Sequence, residues 1–529
     1  MSDDIIRKPL LNNFELKRIQ KYPGEPIKVR YVDDKNQIIV NKKELDKLFL
    51  HSEVKNRKIV AFSIVGPLRK GKSFFLCYCL RYLYSKYPSV NSKKGEFLRD
   101  DWMGKPDEPL VGFSFKSGVK ADTNGILMWS DVFLCDGPGG EKIGIILIDA
   151  QGLFEPSKPK AEDQKNFGLC NLLSSIQVYN LMNVVQENEL EYLEMIVELS
   201  KFISNVTLDR KDTKPFQYLL FLIRDFYDED YKFGFEGGRK YINEEILNTK
   251  KLGTNQAAQT VRQNIHSSYE KISAFLMPFP DETVRAKSYD GSWQYLNRNF
   301  VTNLKELIEN LFTTENLMKK KICNEEITGK EYREYISQYF KAFESVELPE
   351  VPRILNAIAN GQLNILLGKL TSDFQSEMEN LFNIKEANLE NHLNEIFQKV
   401  RENSLKKFRE MKKIESNEKV IAEYEQKLED NFKNIKTDFS EQVKIELSKR
   451  SQGCCYKFDS KMKCFKSPKS LKINTLIIML AIFLIFLLFI NKTLKSWFIF
   501  ICIELSIFAF YHVVLYFKSR NLLCNQLPV

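Results

Sequence analysis

Residues 66–73 constrain the fold of this chain more than any other stretch. Their sequence, GPLRKGKS, has the G-x-x-x-x-G-K-[ST] spacing of a loop that wraps around phosphate groups. The apolar run 59–65 before the loop predicts a buried strand, and residues 74–80 after it predict the start of a helix. Lys72 would then reach the β- and γ-phosphates, and the Ser73 hydroxyl would ligate Mg²⁺. A chance match is the alternative, and the flanking strand and helix argue against it.

A second nucleotide-binding element follows the loop along the chain. Residues 149–152 (DAQG) end the apolar strand 144–148 and match D-x-x-G. Asp149 would bond to a water on the metal, and the Gly152 amide would meet the γ-phosphate. Thr123, which lies in a polar turn between the two elements, is the candidate for the switch threonine that senses the γ-phosphate. An ordinary turn residue is the alternative for Thr123.

The usual sequence signal for guanine recognition is missing, because the chain has no N-K-x-D motif at a useful position. The apolar run 218–223 instead ends in Arg224 and Asp225. The Asp225 carboxylate can accept hydrogen bonds from guanine N1–H and the 2-amino group, a donor pair that adenine lacks. Arg224 can stack or pack beside the base. A structural ion pair at a strand end is the alternative.

The sequence also lacks a glutamine that small GTPases use in hydrolysis. Leu153 follows Gly152, where small GTPases place the glutamine that orients the attacking water. Arg69, three positions before the loop lysine, is therefore the expected source of positive charge in cis. A solvent-facing arginine is the alternative.

Composition narrows the class of protein. The 529 residues are enough for two or three domains with cores of their own. The net charge of +9 is partly local to five lysines in 461–472, and no nucleic-acid motif accompanies it, so we expect no nucleic-acid partner. Ten cysteines without framework spacing and four scattered histidines argue against a disulfide scaffold and a zinc site. Residues 1–14 lack the apolar core of a signal peptide, which predicts a mainly cytosolic chain.

Two apolar segments near the end predict a membrane anchor. As helices, 473–490 and 497–517 would span about 27 and 31 Å, against a hydrocarbon core of about 30 Å. Two spans return the chain to its starting side, so both termini are expected in the cytosol, in agreement with the lysines before the first span. A buried apolar hairpin is the alternative. Three cysteines near the membrane are candidates for acylation, with free thiols as the default: Cys454, Cys455 and Cys464.

The pattern as a whole predicts an α/β fold: a large P-loop domain with a mostly parallel sheet, then a helical bundle, then a transmembrane hairpin. In 331–450 the residues Tyr332, Tyr335, Ile336 and Tyr339 recur at helix spacing. The predicted segments are 1–312 (nucleotide-binding domain with an N-terminal extension), 313–330 (charged linker), 331–450 (helical middle domain), 451–472 (basic juxtamembrane segment), 473–490 and 497–517 (transmembrane helices), 491–496 (loop) and 518–529 (cytosolic tail).

Taken together, the motifs resemble those of atlastins, dynamin-like GTPases of the guanylate-binding-protein superfamily. Four of them follow in the atlastin order: 69–74 (RKGKSF), 123–126 (TNGI), 149–152 (DAQG) and 224–225 (RD). The likeness continues at 129–134 (WSDVFL), 275–280 (FLMPFP), 314–317 (TENL), 334–335 (EY) and 347–349 (ELP), and in the paired apolar segments.

The resemblance implies a GTPase of the endoplasmic reticulum membrane that tethers and fuses membranes through GTP-dependent pairing of its own copies, in trans and in cis. The implied partners are a second copy, the lipid bilayer and other proteins that shape the reticulum; the implied ligands are GTP and Mg²⁺. Arg69 resembles the family's arginine finger, and Thr123 is the second expected catalytic residue. The expected nucleotide-binding residues are Gly66, Arg69, Lys70, Gly71, Lys72, Ser73, Phe74, Gln151, Gly152, Arg224, Asp225 and Val284. The expected metal site comprises Ser73, Thr123 and Asp149.

Two departures from the atlastin pattern bear on function. Ala150 replaces the threonine of D-T-Q-G, a small change that leaves Asp149 in place. The tail after 517 is short, whereas atlastins carry a longer amphipathic helix that perturbs bilayers. A GTP-dependent tether or curvature scaffold with little fusion activity is therefore the alternative function, and a soluble P-loop ATPase is a third.

Overall fold

The computed structural model describes residues 21–458, except 34, 36, 93–95, 116–124, 151, 154–159, 187–188, 191, 195, 197, 199, 201–213, 249–255, 287, 346–348, 383–388, 412 and 414–416. The chain divides into two units after residue 440. Everything described below belongs to the first unit, apart from the last part of one long helix.

A mixed sheet of nine described strands forms the centre of the first unit, in the order β2-β1-β4-β6-β3-β7-β8-β9, with β5 paired to β6. Strands β6, β3, β7, β8 and β9 run parallel, whereas β1, β2, β4 and β5 make antiparallel pairs at the other side. The strands are β1 (Pro26–Val32), β2 (Ile38–Val40), β3 (Lys58–Val65), β4 (Ile126–Trp129), β5 (Phe133–Asp136), β6 (Lys142–Ala150), β7 (Ile176–Met182), β8 (Phe216–Arg224) and β9 (Tyr269–Leu276). A separate two-stranded hairpin consists of β10 (Lys321–Ile322) and β11 (Glu325–Glu326).

Helices cover both faces of the sheet and continue beyond it. They are α1 (Lys42–Phe49), α2 (Lys72–Lys86), α3 (Lys160–Leu173), α4 (Gly234–Tyr241), α5 (Gln256–Ser268), α6 (Arg298–Phe312), α7 (Gly329–Ala342), α8 (Val351–Phe382), α9 (Leu389–Glu410) and α10 (Glu418–Phe458). Short π- or 3₁₀-helical segments lie at Ile242–Ile246, Glu282–Arg285, Trp293–Tyr295 and Thr314–Asn316.

Strand β3 shows why this sheet needs cover on both faces. Its residues alternate between two hydrophobic cores: Ala61 and Val65 face the core with α1, α3 and α7, while Phe62 and Ile64 face the core with α2 and α6. A parallel strand buried on both faces requires an almost continuous apolar sequence, as β3 has. The prediction of a large α/β domain followed by a helical region is confirmed for the described residues.

Residues 313–330, predicted as a linker, run along the start of β3. Lys320 N–H donates to Ile59 O at 2.7 Å, and Ile59 N–H donates to Ile327 O at 3.2 Å. The Lys320 side chain is buried, and its Nζ donates to Ser174 O at 2.8 Å. Thr328 then begins α7 with a capping box, since Glu331 accepts from the Thr328 N–H at 2.7 Å.

Helix α7 lies on the nucleotide-binding domain rather than apart from it. The predicted apolar face is buried, and Tyr332 donates its hydroxyl to Leu173 O at 2.9 Å, at the end of α3. Arg30 of β1 donates through Nη2 to Phe343 O at 3.0 Å, just past the end of α7. Arg333 Nε pairs with Asp46 of α1 at 2.5 Å.

The three long helices α8, α9 and α10 share a third core. Phe374 of α8 stacks on Phe432 of α10 with ring centroids 4.1 Å apart, and meets Phe397 of α9 edge-on at 5.6 Å. Arg401 pairs with Glu429 at 2.5 Å across α9 and α10. These contacts are those of a helical bundle that is held together by its own apolar core.

The predicted membrane anchor lies outside the described residues, as do 459–472, the loop 491–496 and the tail 518–529. Among the helices that the structure does describe, none combines the length and the apolar character needed to cross a bilayer. The hairpin 473–490 and 497–517 stays a prediction.

Candidate nucleotide-binding site

A cavity of about 420 Å³ opens where the parallel strands end. It lies beyond the carboxyl ends of β3, β6, β7 and β8, the edge at which open α/β sheets bind their ligands. Ten of the site residues that the sequence predicts line this cavity: Arg69, Lys70, Gly71, Lys72, Ser73, Phe74, Gly152, Arg224, Asp225 and Val284. Motifs that are far apart in sequence therefore meet at one site.

The backbone of the loop requires its two motif glycines. Gly66 has φ of 146°, and a Cβ there would stand 2.1 Å from Asn180 O. Gly71 has φ of 74° in the left-handed region, and as the N-cap residue it starts α2. Only glycine adopts both conformations without strain. Arg69 also has a left-handed φ, of 62°, and its side chain is exposed at the cavity.

The loop is tied to the D-x-x-G segment through its backbone. Leu68 N–H donates to Leu153 O, and Leu153 N–H donates to Gly66 O, each at 2.9 Å. A Cβ on Gly152 would stand 2.5 Å from the Leu68 Cα, so glycine permits this close approach. A shift of either segment would therefore move the other.

The start of α2 is suited to anions. Its first turn contains Lys72 and Ser73 and no acidic residue, so the positive end of the helix is not neutralised. Lys72 is 6% exposed, and its Nζ donates to Pro67 O at 2.9 Å. Burial lowers the pKa of Lys72 to about 8, while Asp149 and Asp163 act in the opposite direction. A bound phosphate would add negative charge beside this buried ammonium.

The metal-binding part of the prediction can be tested on the oxygens present. Ser73 Oγ donates to Asp149 Oδ2 at 2.8 Å, and Asp149 is 1% exposed at the end of β6. A hydroxyl and a carboxylate beside a phosphate loop are the hard oxygen ligands that Mg²⁺ uses, directly or through water, so this pair fits the ion. Thr123 and Gln151, the other predicted members, lie outside the described residues.

Arg224 and Asp225 end β8 with different surroundings. Arg224 is 7% exposed; its Nη1 stands 3.5 Å from Lys70 O, and its guanidinium lies 5.6 Å from the centre of the Phe300 ring. Burial lowers the pKa of Arg224, with Asp225 acting in the opposite direction. Asp225 has φ of 53° and is half-buried, and burial raises its pKa, opposed by Arg224, Lys70 and Arg285. Both residues line the cavity.

Aromatic residues also line the cavity, and sequence reasoning does not find most of them. Phe74 contacts Phe115 at 5.6 Å and Tyr289 at 6.1 Å between ring centroids, and all three line the cavity beside Val284. Phe115 and Tyr289 belong to irregular segments far from any motif, so no local signal marks them. Phe279 also lines the cavity and belongs to the stretch 275–280.

A phosphate loop at the N-terminus of a helix, a serine–aspartate pair and a cavity lined by both a carboxylate and aromatic rings define a P-loop nucleoside triphosphatase. Comparison with known proteins gives the family. The guanylate-binding protein N-terminal domain matches residues 35–321. Atlastin-1 of Bos taurus is 34% identical over 409 residues, which make up 76% of this chain and 70% of that protein.

Two further relatives agree with this comparison. Atlastin of Drosophila melanogaster is 31% identical over 419 residues, 79% of this chain and 75% of that protein. Atlastin-2 of Xenopus laevis is 30% identical over 415 residues, 77% of this chain and 69% of that protein. The chain belongs to the atlastin family of the guanylate-binding-protein superfamily, and it is a dynamin-like GTPase.

Proposed function

We propose that this GTPase uses GTP hydrolysis to tether and fuse membranes of the endoplasmic reticulum, through nucleotide-dependent pairing of two copies of its G domain. Family membership and the predicted hairpin 473–490 and 497–517 support a membrane-anchored machine. The observation that carries the proposal is the docking of helix α7 on the G domain. A GTPase that moves membranes needs a contact that transmits conformational change from its catalytic domain to its helical region.

Helix α7 contacts α3, the next described helix after the D-x-x-G segment. Helix α3 comes next in the chain after Gly152 and ends at Leu173, whose carbonyl accepts from Tyr332 of α7. Lys165, also on α3, donates to Ser345 O at 3.3 Å. A γ-phosphate that moves Gly152 would thus bias the same helix that holds α7. Coupling of this kind requires the nucleotide to favour one of the two arrangements.

The proposed roles at the site follow from charge and reach. Lys72 and the amides of Lys70, Gly71 and Phe74 bind the phosphates, with Gly66 shaping the loop and Gln151 and Gly152 beside the γ-phosphate. Ser73, Asp149 and Thr123 would hold Mg²⁺, and the bound ion would neutralise charge that develops on the phosphates. Arg69 reaches across the exposed rim as the finger, and Thr123 senses the γ-phosphate. Asp225 reads guanine, with Val284 beside the base, and Arg224 lines the same cavity.

The test uses the full-length protein in liposomes. Dequenching of a fluorescent lipid between two vesicle populations is followed with GTP, with GDP and with a non-hydrolysable GTP analogue, alongside light scattering for vesicle clustering. We expect lipid mixing with GTP alone. Arg69→Ala is the matched control, because it removes the charge proposed for hydrolysis and leaves the loop lysine in place.

The outcomes separate the candidate functions. Clustering without lipid mixing at normal GTP turnover would replace fusion by the tether or scaffold function. Neither clustering nor mixing, again at normal turnover, would reject both membrane functions and leave only the GTPase.

A further inference from the structure

One backbone carbonyl in the phosphate loop is held by side chains from two neighbouring strands. Asn180 of β7 donates through Nδ2 to Lys70 O at 3.0 Å, and Arg224 Nη1 of β8 lies 3.5 Å from the same oxygen. Asn180 belongs to none of the nucleotide-binding motifs. In the sequence it is one of two polar amides, with Gln177, in a mainly apolar strand.

Stability alone is a poor reason for these two side chains. Asn180 is fully buried and Arg224 is 7% exposed, and among the described residues Asn180 Oδ1 and Arg224 Nε have no hydrogen-bond partner. A buried polar atom without a partner typically destabilises a fold, because its hydrogen bonds to water are lost and not replaced. An apolar residue such as leucine would fill the Asn180 position without that cost. Its polar group therefore has to be explained by what it holds.

What it holds is the orientation of one peptide group. The described peptide bonds are all trans, and in a trans peptide the carbonyl and the following N–H point in opposite directions. The Lys70 carbonyl points to the sheet, where Asn180 and Arg224 lie, so the Gly71 N–H points away from the sheet. Gly71 lines the cavity at the N-terminus of α2, so an N–H turned away from the sheet there is available to an anion.

We propose that Asn180 and Arg224 are positioning residues that fix the Lys70–Gly71 peptide with its N–H directed at the phosphates. The guanidinium also lies close to the next residue, because a Cβ on Gly71 would stand 2.8 Å from Arg224 Nη1. The proposal rests on the GTPase assignment and deepens it. In this proposal Arg224 acts on the phosphate loop and does not contact the base, and Asp225 alone of the two recognises guanine.

The two roles can be separated with inosine triphosphate, which lacks the 2-amino group of guanine. Full-length protein in detergent is titrated with GTP and with ITP, and the ratio of the two Kd values is compared among variants. Asn180→Leu and Arg224→Met should each raise both Kd values at least tenfold and by equal factors. Asp225→Asn, the matched comparison, should mainly weaken GTP and bring the ratio towards one.

A melting temperature without nucleotide excludes simple loss of fold. Asn180→Leu should melt no lower than the unmodified protein, because it removes a buried polar group. A normal GTP affinity in Asn180→Leu, or a changed GTP-to-ITP ratio in Arg224→Met, would overturn the proposal. So would weak binding that a lowered melting temperature fully accounts for. Failure of the unmodified protein to prefer GTP over ITP would instead count against the guanine assignment.

Discussion

Binding of GTP should draw a proton from solution, because of the state of Lys72 in the nucleotide-free site. Burial lowers the pKa of this lysine to about 8, so at pH 8 about half of the molecules carry a neutral amine there. The phosphates of GTP raise that pKa again by adding negative charge. Binding should then take up about half a proton at pH 8, and only about 0.1 at pH 7. GTP affinity should fall as the pH rises through 8.

Isothermal titration calorimetry measures this uptake directly. The binding enthalpy is recorded at pH 7 and pH 8 in two buffers of different ionisation enthalpy, and the slope gives the protons taken up. The matched control is Lys320→Met, which removes another buried lysine whose ammonium donates to Ser174 O away from the cavity. That variant should keep the uptake at pH 8. Equal uptake at both pH values would refute the assignment of the titrating group to Lys72.

Three further predictions follow from the same geometry. Arg69→Ala should lower GTP turnover at least a hundredfold while a fluorescent GDP analogue still binds, and an unchanged turnover rate would remove the finger role. Asp225→Asn should weaken GTP and reduce the preference for GTP over ATP in competition binding; a retained preference would contradict guanine reading by this carboxylate. Burial lowers the pKa of Lys320 to about 7, so the folded state binds fewer protons than the unfolded state between pH 7 and about 10. The free energy of unfolding should therefore rise with pH in this range, by at most about 1.4 kcal/mol per pH unit, and chemical denaturation of Lys320→Met should show a flatter profile.

The phosphate loop could be predicted because all its chemistry is contiguous. Spacing alone gives the glycines, the lysine and the serine, and the apolar run before them gives the strand that ends at the cavity. The helix spacing of Tyr332 and its neighbours likewise predicts a buried face. Such patterns need no knowledge of what packs against them.

The rest of the site depends on contacts between distant segments, which no local pattern contains. Asn180 contacts Lys70 across 110 positions, and Phe115 and Tyr289 each pack on Phe74 from a different segment. Charge composition predicts a linker for 313–330, yet it gives no sign that Lys320 is buried against Ser174. In each case the side chain acquires its meaning from a neighbour that folding brings to it.

Arg224 and Asp225 illustrate the same limit at the scale of two adjacent residues. As a dipeptide they suggest one shared task, because opposite charges at a strand end pair readily. The left-handed φ of Asp225 ends the extended strand, and the two residues differ in burial, since Arg224 is buried and Asp225 is half-buried. Arg224 lies beside the carbonyl of Lys70, a residue of the phosphate loop, and the ring of Phe300. At the end of one strand, Arg224 would thus act on the phosphate loop and Asp225 on the base. Loss of the Arg224 charge should weaken binding of GTP and ITP equally, whereas loss of the Asp225 charge should mainly weaken binding of GTP.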